Sequence, residues 1–435
     1  MKKITCLLIV LGLFSFLACE DEDNDNPQNQ SEEIELDIVW ENTVYDDTLL
    51  AMYFPARFTG DYVVFCSGGQ YYSDPGFAVY HKETGERHPA WDHEPDIDIF
   101  EPWAYLSDFE VGGKDRDILS IQSPDDYKFI TWDLNTGNKL WEKALNDADY
   151  LHYSSSYGPY FFLTRRAPGT GDWAELIALN AKTGVEKVIL HEDAPANGGV
   201  SFYPPSATTL SNGDTLLVFS KQENNGSKTY TYAFNMTADS LIWKTEHVSG
   251  RPPANEGIIA DGYYIFQGYE MISCFDIQTG DILWSDEPVA NINDNLTGRK
   301  NLYFGGKLLV NNEYGELFCY DVSSGAILWE NKESMLYPDM PEIMSYYEDR
   351  IYLYAGYNSS LPEKERNALR CISANTGEVL WTTNGPEEAR FGQGLNIDRS
   401  SGYLYITNSI SAFCIDERWN DLAAFGLRKR AAIGE

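Results

Sequence analysis

The chain has little positive charge. Its 435 residues include 32 Lys and Arg but 67 Asp and Glu, which gives a formal net charge of −35 at pH 7. Nucleic-acid binding needs a basic face, because contacts to phosphates supply much of the affinity. The composition therefore argues against a nucleic acid as the partner.

The local motifs of common catalytic sites are also missing. There is no Gly-x-Ser-x-Gly elbow, no P-loop and no dinucleotide fingerprint. His88 and His93 are not spaced like zinc ligands, and the acidic run 92–101 lacks the glycine and ligand spacing of a helix-loop-helix calcium site. We predict no metal site and no cofactor, and we favour a binding role over an enzymatic one. The sequence leaves open a catalytic pair of carboxylates that come together only in the folded chain.

Only one long apolar run is present, from Ile4 to Ala18 behind two lysines, and it is too short for a membrane span in the mature protein. The segment Phe16-Leu17-Ala18-Cys19 resembles a bacterial lipoprotein processing site. We therefore predict a lipoprotein signal peptide at residues 1–18 and lipidation of Cys19, with an ordinary signal peptide as the alternative.

Residues 19–33 are acidic and polar, which predicts a disordered tether. An acidic stretch directly after the lipidated cysteine resembles the surface-export signal of Bacteroidetes lipoproteins. This resemblance implies an outer membrane lipoprotein held by its lipid anchor. Which leaflet of the outer membrane holds the lipid is left open, and the outer leaflet would expose the protein at the cell surface.

A short pattern recurs along the rest of the chain at intervals of 41 to 55 residues. Copies begin at residues 77, 129, 176, 231, 272, 317 and 369, and a truncated eighth begins at 412. Strand–turn–strand units with this period are typical of a β-propeller, in which each unit forms one blade.

The copy at 272–284 shows the physics of one repeat. Residues 272–277 alternate as in a strand, a tight turn follows at Gly280, and Ile282–Trp284 open the next strand. The indole of Trp284 can cover the seam between blades. Pro89 and Val188 stand in the tryptophan position of copies 1 and 3, so we expect those blades to be less regular. The repeated glycines and tryptophans are Gly137, Trp141, Gly184, Trp243, Gly280, Trp284, Gly325, Trp329, Gly377 and Trp381.

The eighth copy loses the pattern after Asp416, and a spare strand of the missing type lies at residues 34–41. We predict that this strand, with Trp40, completes blade 8 and closes the ring. The predicted fold is all-β: an eight-bladed propeller of four-stranded antiparallel blades over residues 34–417, followed by a tail at 418–435. Seven blades are the alternative, and a monomeric body is expected.

The repeats resemble the pyrroloquinoline-quinone-type propeller repeat, apolar-Ala-apolar-Asp-x-x-Thr-Gly-x-x-apolar-Trp. The family includes quinone-dependent alcohol and glucose dehydrogenases and a non-enzymatic lipoprotein subunit of the outer-membrane barrel-assembly machine. The dehydrogenases carry an adjacent cysteine pair, and no two cysteines are adjacent here. The repeat similarity alone does not choose between these branches, but the missing cysteine pair argues against a quinone-dependent dehydrogenase and favours the non-enzymatic branch.

Cys274, Cys319, Cys371 and Cys414 occupy one repeat position, where other copies have Val, Thr or Ala. Such a position requires a small buried side chain, which a free cysteine supplies. Equivalent positions on different blades should also lie too far apart for a disulfide. We predict four inert buried thiols.

Loop length predicts which face of the propeller binds. The links between strands two and three of a blade, and those between blades, are long, and they emerge on one face. We predict that this face binds an envelope protein complex or a glycan, and the alternative is a polysaccharide hydrolase or lyase. The candidate ligand-binding residues are Tyr71, Tyr72, Trp103, Arg165, Arg166, Trp173, Tyr203, Arg251 and Tyr337.

Overall fold

The structure is a computed structural model and consists almost entirely of antiparallel β-strands. It describes residues 37–43, 56–67, 76–91, 109–112, 117–123, 128–144, 152–167, 172–195, 198–223, 228–247, 257–268, 271–286, 301–312, 316–332, 344–355, 368–383, 395–407 and 411–416.

The strands fall into eight sheets, one for each repeat. Blade 1 has β2 (Arg57–Thr59), β3 (Tyr62–Ser67) and β4 (Gly76–His81); blade 2 has β5 (Phe109–Gly112), β6 (Ile118–Ser123), β7 (Lys128–Asp133) and β8 (Lys139–Ala144); blade 3 has β9 (His152–Tyr157), β10 (Tyr160–Arg166), β11 (Trp173–Asn180) and β12 (Glu186–Asp193); blade 4 has β13 (Val200–Phe202), β14 (Ser206–Thr209), β15 (Thr215–Glu223), β16 (Lys228–Asn235) and β17 (Ser240–His247). Blade 5 has β18 (Ile258–Ala260), β19 (Tyr263–Gln267), β20 (Ile272–Asp276) and β21 (Ile282–Asp286); blade 6 has β22 (Leu302–Phe304), β23 (Lys307–Asn311), β24 (Leu317–Asp321) and β25 (Ile327–Asn331); blade 7 has β26 (Met344–Tyr347), β27 (Arg350–Ala355), β28 (Ala368–Ser373) and β29 (Val379–Thr383); blade 8 has β30 (Asn396–Asp398), β31 (Tyr403–Thr407), β32 (Ser411–Asp416) and β1 (Ile38–Thr43).

This architecture confirms the eight-bladed propeller and rules out seven blades. Within the described residues the one helix is a 3₁₀ turn at Pro89–Trp91. No helix in this part of the chain is long and apolar enough to cross a membrane.

The ring closes through the N-terminal strand, as predicted. β1 pairs antiparallel with β32, from Ile38 opposite Ile415 to Thr43 opposite Ser411. The predicted strand covered residues 34–41, whereas β1 spans Ile38–Thr43, and residues before 37 lie outside the described part.

Two blades depart from four strands within the described residues. Blade 4 has an extra inner strand, because β13 and β14 both pair with β15. Blade 1 has three strands, and its fourth is reduced to one bridge between Tyr80 and Arg87. The His88 carbonyl accepts the Trp91 amide at 2.9 Å, which turns the chain away from β4.

An indole seals most of the seams between blades. The Trp40 Nε1 of blade 8 donates 2.9 Å to the Lys82 carbonyl of blade 1, and the same bond recurs around the ring, always to the residue three before the turn glycine. The other pairs, at 2.6–3.2 Å, are Trp91 with Leu134, Trp141 with Ala181, Trp243 with Ile277, Trp284 with Val322, and Trp329 with Ala374.

The turn glycine is required because the indole lies against it. A Cβ on Gly377, whose φ is +74°, would lie 2.4 Å from Trp329 Cε3. At Gly85, Gly184, Gly280 and Gly325 the distance to the facing indole would be 2.5–2.8 Å. Each of these five seams therefore depends on a tryptophan and a glycine from neighbouring blades.

Blade 1 keeps this contact in another way. Pro89 occupies the tryptophan position, but the 3₁₀ turn carries Trp91 into the seam, where its side chain is 1% exposed. The expected irregularity of blade 1 therefore alters the outer strand and leaves the indole–carbonyl bond intact.

The seam between blades 3 and 4 is different. Val188 is 42% exposed, and Lys187 Nζ donates 3.4 Å to the Met236 carbonyl, which takes the place of the indole. Blade 4 has Asp239, with φ 54°, at the glycine position, and its carboxylate pairs with Lys187 at 3.1 Å. The bulge in β12 also lies elsewhere, between the pairs formed by Leu176 and Ile177.

The four repeat-position cysteines are buried thiols that form no disulfide, as predicted. Burial raises the pKa of the Cys274, Cys319 and Cys414 thiols to about 12. These thiols are therefore un-ionised at neutral pH and pack as small apolar groups.

Candidate functional site

Four of the predicted ligand-binding residues lie in the described part of the chain, at the long-loop ends of blades 3 and 4. Arg165 and Arg166 end β10, Trp173 begins β11, and Tyr203 follows β13. Because neighbouring strands are antiparallel, the links after β10 and β12 leave the blades on one face. The other five, Tyr71, Tyr72, Trp103, Arg251 and Tyr337, lie outside the described residues.

Arg165 belongs to an ion-pair network between blades 2 and 3. Its guanidinium contacts Glu175 Oε2 at 2.5 Å and Glu186 Oε1 at 2.9 Å, and its side chain is 19% exposed. Lys143 of blade 2 also pairs with Glu186. The Lys143–Glu186 pair therefore links blades 2 and 3, and Arg165 holds Glu186 from within blade 3.

This network fixes the charge of Glu186. Burial opposes ionisation of Glu186, but hydrogen bonds and charges from Lys143 and Arg165 outweigh it and hold its pKa below the ordinary value. The carboxylate is therefore charged through the mildly acidic range.

Trp173 stacks on His191, with ring centroids 6.1 Å apart and planes tilted by 25°. His191 Nδ1 contacts Glu175 Oε1 at 2.8 Å, and this hydrogen bond is the largest cause of a raised His191 pKa. An aromatic ring is thereby held in one orientation at the edge of the face.

A second cluster of charges lies between blades 3 and 4. The side chain of Lys221 is 1% exposed, and its ammonium pairs with Glu192 of blade 3 and Glu223 of blade 4. The Tyr232 hydroxyl donates 2.8 Å to Glu192. Burial of Lys221 opposes its charge, but the two glutamates raise its pKa above the ordinary value.

Lys244 completes this cluster. Its ammonium lies 4.2 Å from the ring centroid of Tyr230 and 5.0 Å from that of Tyr232. Burial and the nearby charge of Lys221 lower the Lys244 pKa. Sequence reasoning missed all of these residues because they alternate with apolar positions inside strands, where polar side chains are normally solvated.

Arg166 and Tyr203 are less constrained. Arg166 Nη1 donates 3.2 Å to Ser201 Oγ, and the Tyr203 hydroxyl donates 3.1 Å to Gln222 Oε1. Both side chains are half-buried. Trp173 lies at the same long-loop end of blade 3, where its ring contacts His191. Aromatic and arginine side chains of this kind are suited to binding.

Among the described residues, no group of three or more His, Cys, Asp or Glu is placed to hold a metal ion. Cys274, Cys319, Cys371 and Cys414 lie on four different blades, so they do not supply an adjacent pair of the kind found in quinone dehydrogenases.

Comparison with known proteins gives a consistent picture. A family profile described as "Outer membrane protein assembly factor BamB" matches residues 114–286 and 268–410. No curated protein matches the chain significantly.

Solved structures share the fold at low identity. BamB from Moraxella catarrhalis is 14% identical with a TM-score of 0.54, and the match covers 88% of this chain and 98% of that one. Quinohemoprotein alcohol dehydrogenase from Comamonas testosteroni is 10% identical with a TM-score of 0.60, covering 87% and 76%. The computationally designed Ika8 protein is 10% identical with a TM-score of 0.57, covering 88% and 100%. These identities support the shared fold alone.

Proposed function

Because the chain belongs to the family of the outer membrane protein assembly factor BamB, we propose that it is a non-catalytic scaffold propeller of the bacterial outer membrane, tethered by a lipid on Cys19. The observation that carries this proposal is the family match, which runs through repeats of blades 2 to 8. The lipoprotein-like processing segment that ends at Cys19 agrees with it.

The partner in this proposal is a protein component of an envelope complex, bound at the long-loop ends of blades 3 and 4. Trp173, Arg166 and Tyr203 are residue types enriched at protein hot spots. Ion pairs on both sides of blade 3 hold this edge in place. The side chains of the edge therefore lose little conformational entropy when the partner binds.

Crosslinking in intact envelopes, followed by recovery of the tagged full-length protein, tests the proposal. The test variant is Trp173→Ala with Arg166→Ala. The matched control is Tyr157→Ala, which removes an exposed tyrosine contact to Thr209 at the opposite end of the same blade.

We expect one outer-membrane complex to copurify with the wild type and with Tyr157→Ala, and at least ten-fold less of it with the double variant. Equal recovery with both variants would refute binding at this edge. Absence of any envelope complex from the wild-type sample would refute the scaffold role.

A further inference from the structure

The seam between blades 4 and 5 changes character along its length. Toward the turn face it is apolar, with Val218, Ala233 and Trp243 of blade 4 packed on Tyr264 and Phe275 of blade 5. Because side chains alternate along a strand, every second residue after Val218 points into the same seam. These residues are Ser220 and Gln222, which lie toward the long-loop end of β15.

Among the described residues, three buried polar atoms in this part of the seam have no hydrogen-bond partner: Ser220 Oγ, Gln222 Nε2 and Thr229 Oγ1. Gln222 lies directly opposite Thr229 in the β15–β16 ladder, so the two side chains lie on one face. Ser220 is 3% exposed and Thr229 is 0% exposed. An unpaired buried polar atom destabilises a fold, so three together indicate a site maintained for binding.

The opposite wall is polar as well. Ser273 of blade 5 pairs with Ser285 across β20 and β21, and their hydroxyls are 2.9 Å apart. Ser273 lies two residues from Phe275 and therefore faces blade 4. Its neighbour across the β19–β20 ladder is the buried Phe266, which adds an apolar surface to the same wall.

Tyr203 orients one of the unpaired groups. Its hydroxyl donates to Gln222 Oε1, which leaves the two N–H groups of Gln222 Nε2 directed elsewhere. We name the set Tyr203, Ser220, Gln222, Thr229, Ser273 and Ser285 the hydroxyl cleft. It presents amide donors and hydroxyls that both donate and accept.

The chemistry of the hydroxyl cleft selects a neutral ligand. No Lys, Arg, Asp or Glu stands at the seam-facing positions 218, 220 and 222 of β15, 229 and 231 of β16, or 273 and 275 of β20. These positions offer no counter-charge to a buried charged group; titratable residues border the cleft, with His247 opposite Thr229 and Arg166 at Ser201. A pyranose ring has several hydroxyls and an apolar C–H face, which match the polar walls and Phe266.

We propose that the hydroxyl cleft binds an uncharged sugar residue of an envelope glycan. The cleft shares Tyr203 with the protein-docking edge and borders it at Arg166, whose guanidinium donates to Ser201 opposite Gln222. The sugar proposal does not depend on protein docking at that edge. In this proposal the unpaired hydroxyls lower the stability of the free protein, and they gain hydrogen-bond partners when the sugar binds.

The first experiment measures the melting temperature of the full-length protein with methyl α-glucoside, methyl α-galactoside and N-acetylglucosamine, each up to 50 mM, beside glucuronate and glycerol at the same concentrations. We expect at least one neutral sugar to raise the melting temperature, with no rise for glucuronate or glycerol. Gln222→Ala should weaken the response at least ten-fold. A rise common to glycerol, an equal rise in Gln222→Ala, or no rise with any of the three sugars would overturn the proposal.

The second experiment needs no ligand. Thr229→Val removes an unpaired hydroxyl with little change of shape, so it should raise the melting temperature of the free protein by roughly 1 °C or more. The matched control is Thr245→Val in the same seam, whose hydroxyl donates 2.7 Å to the Gly280 carbonyl and which should lower the melting temperature. A fall in Thr229→Val as large as in Thr245→Val would mean that the Thr229 hydroxyl stabilises the fold, and the proposal would fail.

Discussion

Among the described residues, two kinds of seam between blades can be compared. In the seam between blades 6 and 7, the Trp329 indole donates to the Ala374 carbonyl and lies against Gly377. In the seam between blades 3 and 4, Lys187 reaches the equivalent carbonyl of Met236 and pairs with Asp239. The comparison shows that the carbonyl three residues before the turn position is satisfied in both, by an indole or by an ammonium.

The two kinds also show that residues change in pairs. A turn glycine is needed where a Cβ would collide with the facing blade, with an indole at five turns and with the Ala90 carbonyl at Gly137. Blade 4 has no facing indole, and there the turn accepts Asp239 with a positive φ. The repeat is therefore defined across a seam, by the outer strand of one blade and the turn of the next.

Removing an indole from a seam should have the largest effect on the free energy of unfolding. Trp329 is 8% exposed, so Trp329→Ala should lower the free energy of unfolding by about 3–5 kcal/mol. The matched change Val188→Ala, at the exposed position of blade 3, should cost about 0.5 kcal/mol or less. Urea unfolding of both variants measures the difference, and similar losses would contradict the two-seam interpretation.

Changing the turn residue should have the next largest effect. Gly377→Ala combines a left-handed backbone with a Cβ 2.4 Å from Trp329, so it should cost about 2–4 kcal/mol. Asp239→Gly relieves a positive φ where no indole faces the turn, so unfolding free energy should stay constant or rise by up to about 1 kcal/mol. Unfolding curves that show a large loss in Asp239→Gly would mean that glycine is excluded there for another reason.

The ion pairs between blades 2 and 3 stabilise a seam by charge, so their contribution to the free energy of unfolding should depend on pH. The folded-state pKa of Glu186 is held below its ordinary value. Its stabilisation is therefore complete above the unfolded pKa, about 4.3, and is lost as pH falls through the lower folded pKa. Glu186→Gln should cost about 1 kcal/mol at pH 7 and progressively less below about pH 4. Unfolding measured from pH 3 to 7 tests this, and a difference that does not change with pH would refute it.

The smallest effect is expected at Lys187. Its side chain is 44% exposed and that of Asp239 is 67% exposed, so water screens the pair. Lys187→Ala should lower the free energy of unfolding by about 0.5 kcal/mol or less. A loss comparable to that of Trp329→Ala would show that the ammonium replaces the indole in energy as well as in position.

The ring itself could be predicted from the chain because each blade repeats a local pattern. Alternation in residues such as 272–277 predicts a strand, and the turn at Gly280 predicts a hairpin. The closing strand followed from counting, since the eighth copy lacked a partner that residues near Trp40 could supply. The use of Trp91 in blade 1 could not be predicted, because it depends on a 3₁₀ turn that replaces a strand.

The candidate site was less predictable because it depends on register. Arg165 was expected in a loop, but β10 continues through Arg166 and turns Arg165 toward two glutamates. Ser220 and Thr229 resemble ordinary polar strand residues in the sequence. Only the pairing of Gln222 with Thr229, and the side of β15 that faces blade 5, brings the unpaired groups together.

The pairing of β1 with β32 also orders events during biosynthesis. Within the described residues, Ile38 begins the first strand of the ring, yet its partner Ile415 lies in the last strand. Blades 2 to 7 draw their strands from consecutive stretches of chain and can form one after another as it emerges. The ring stays open until β32 has been made. A chain interrupted before that point lacks the β1–β32 pairing and exposes the strand edges that ring closure would pair.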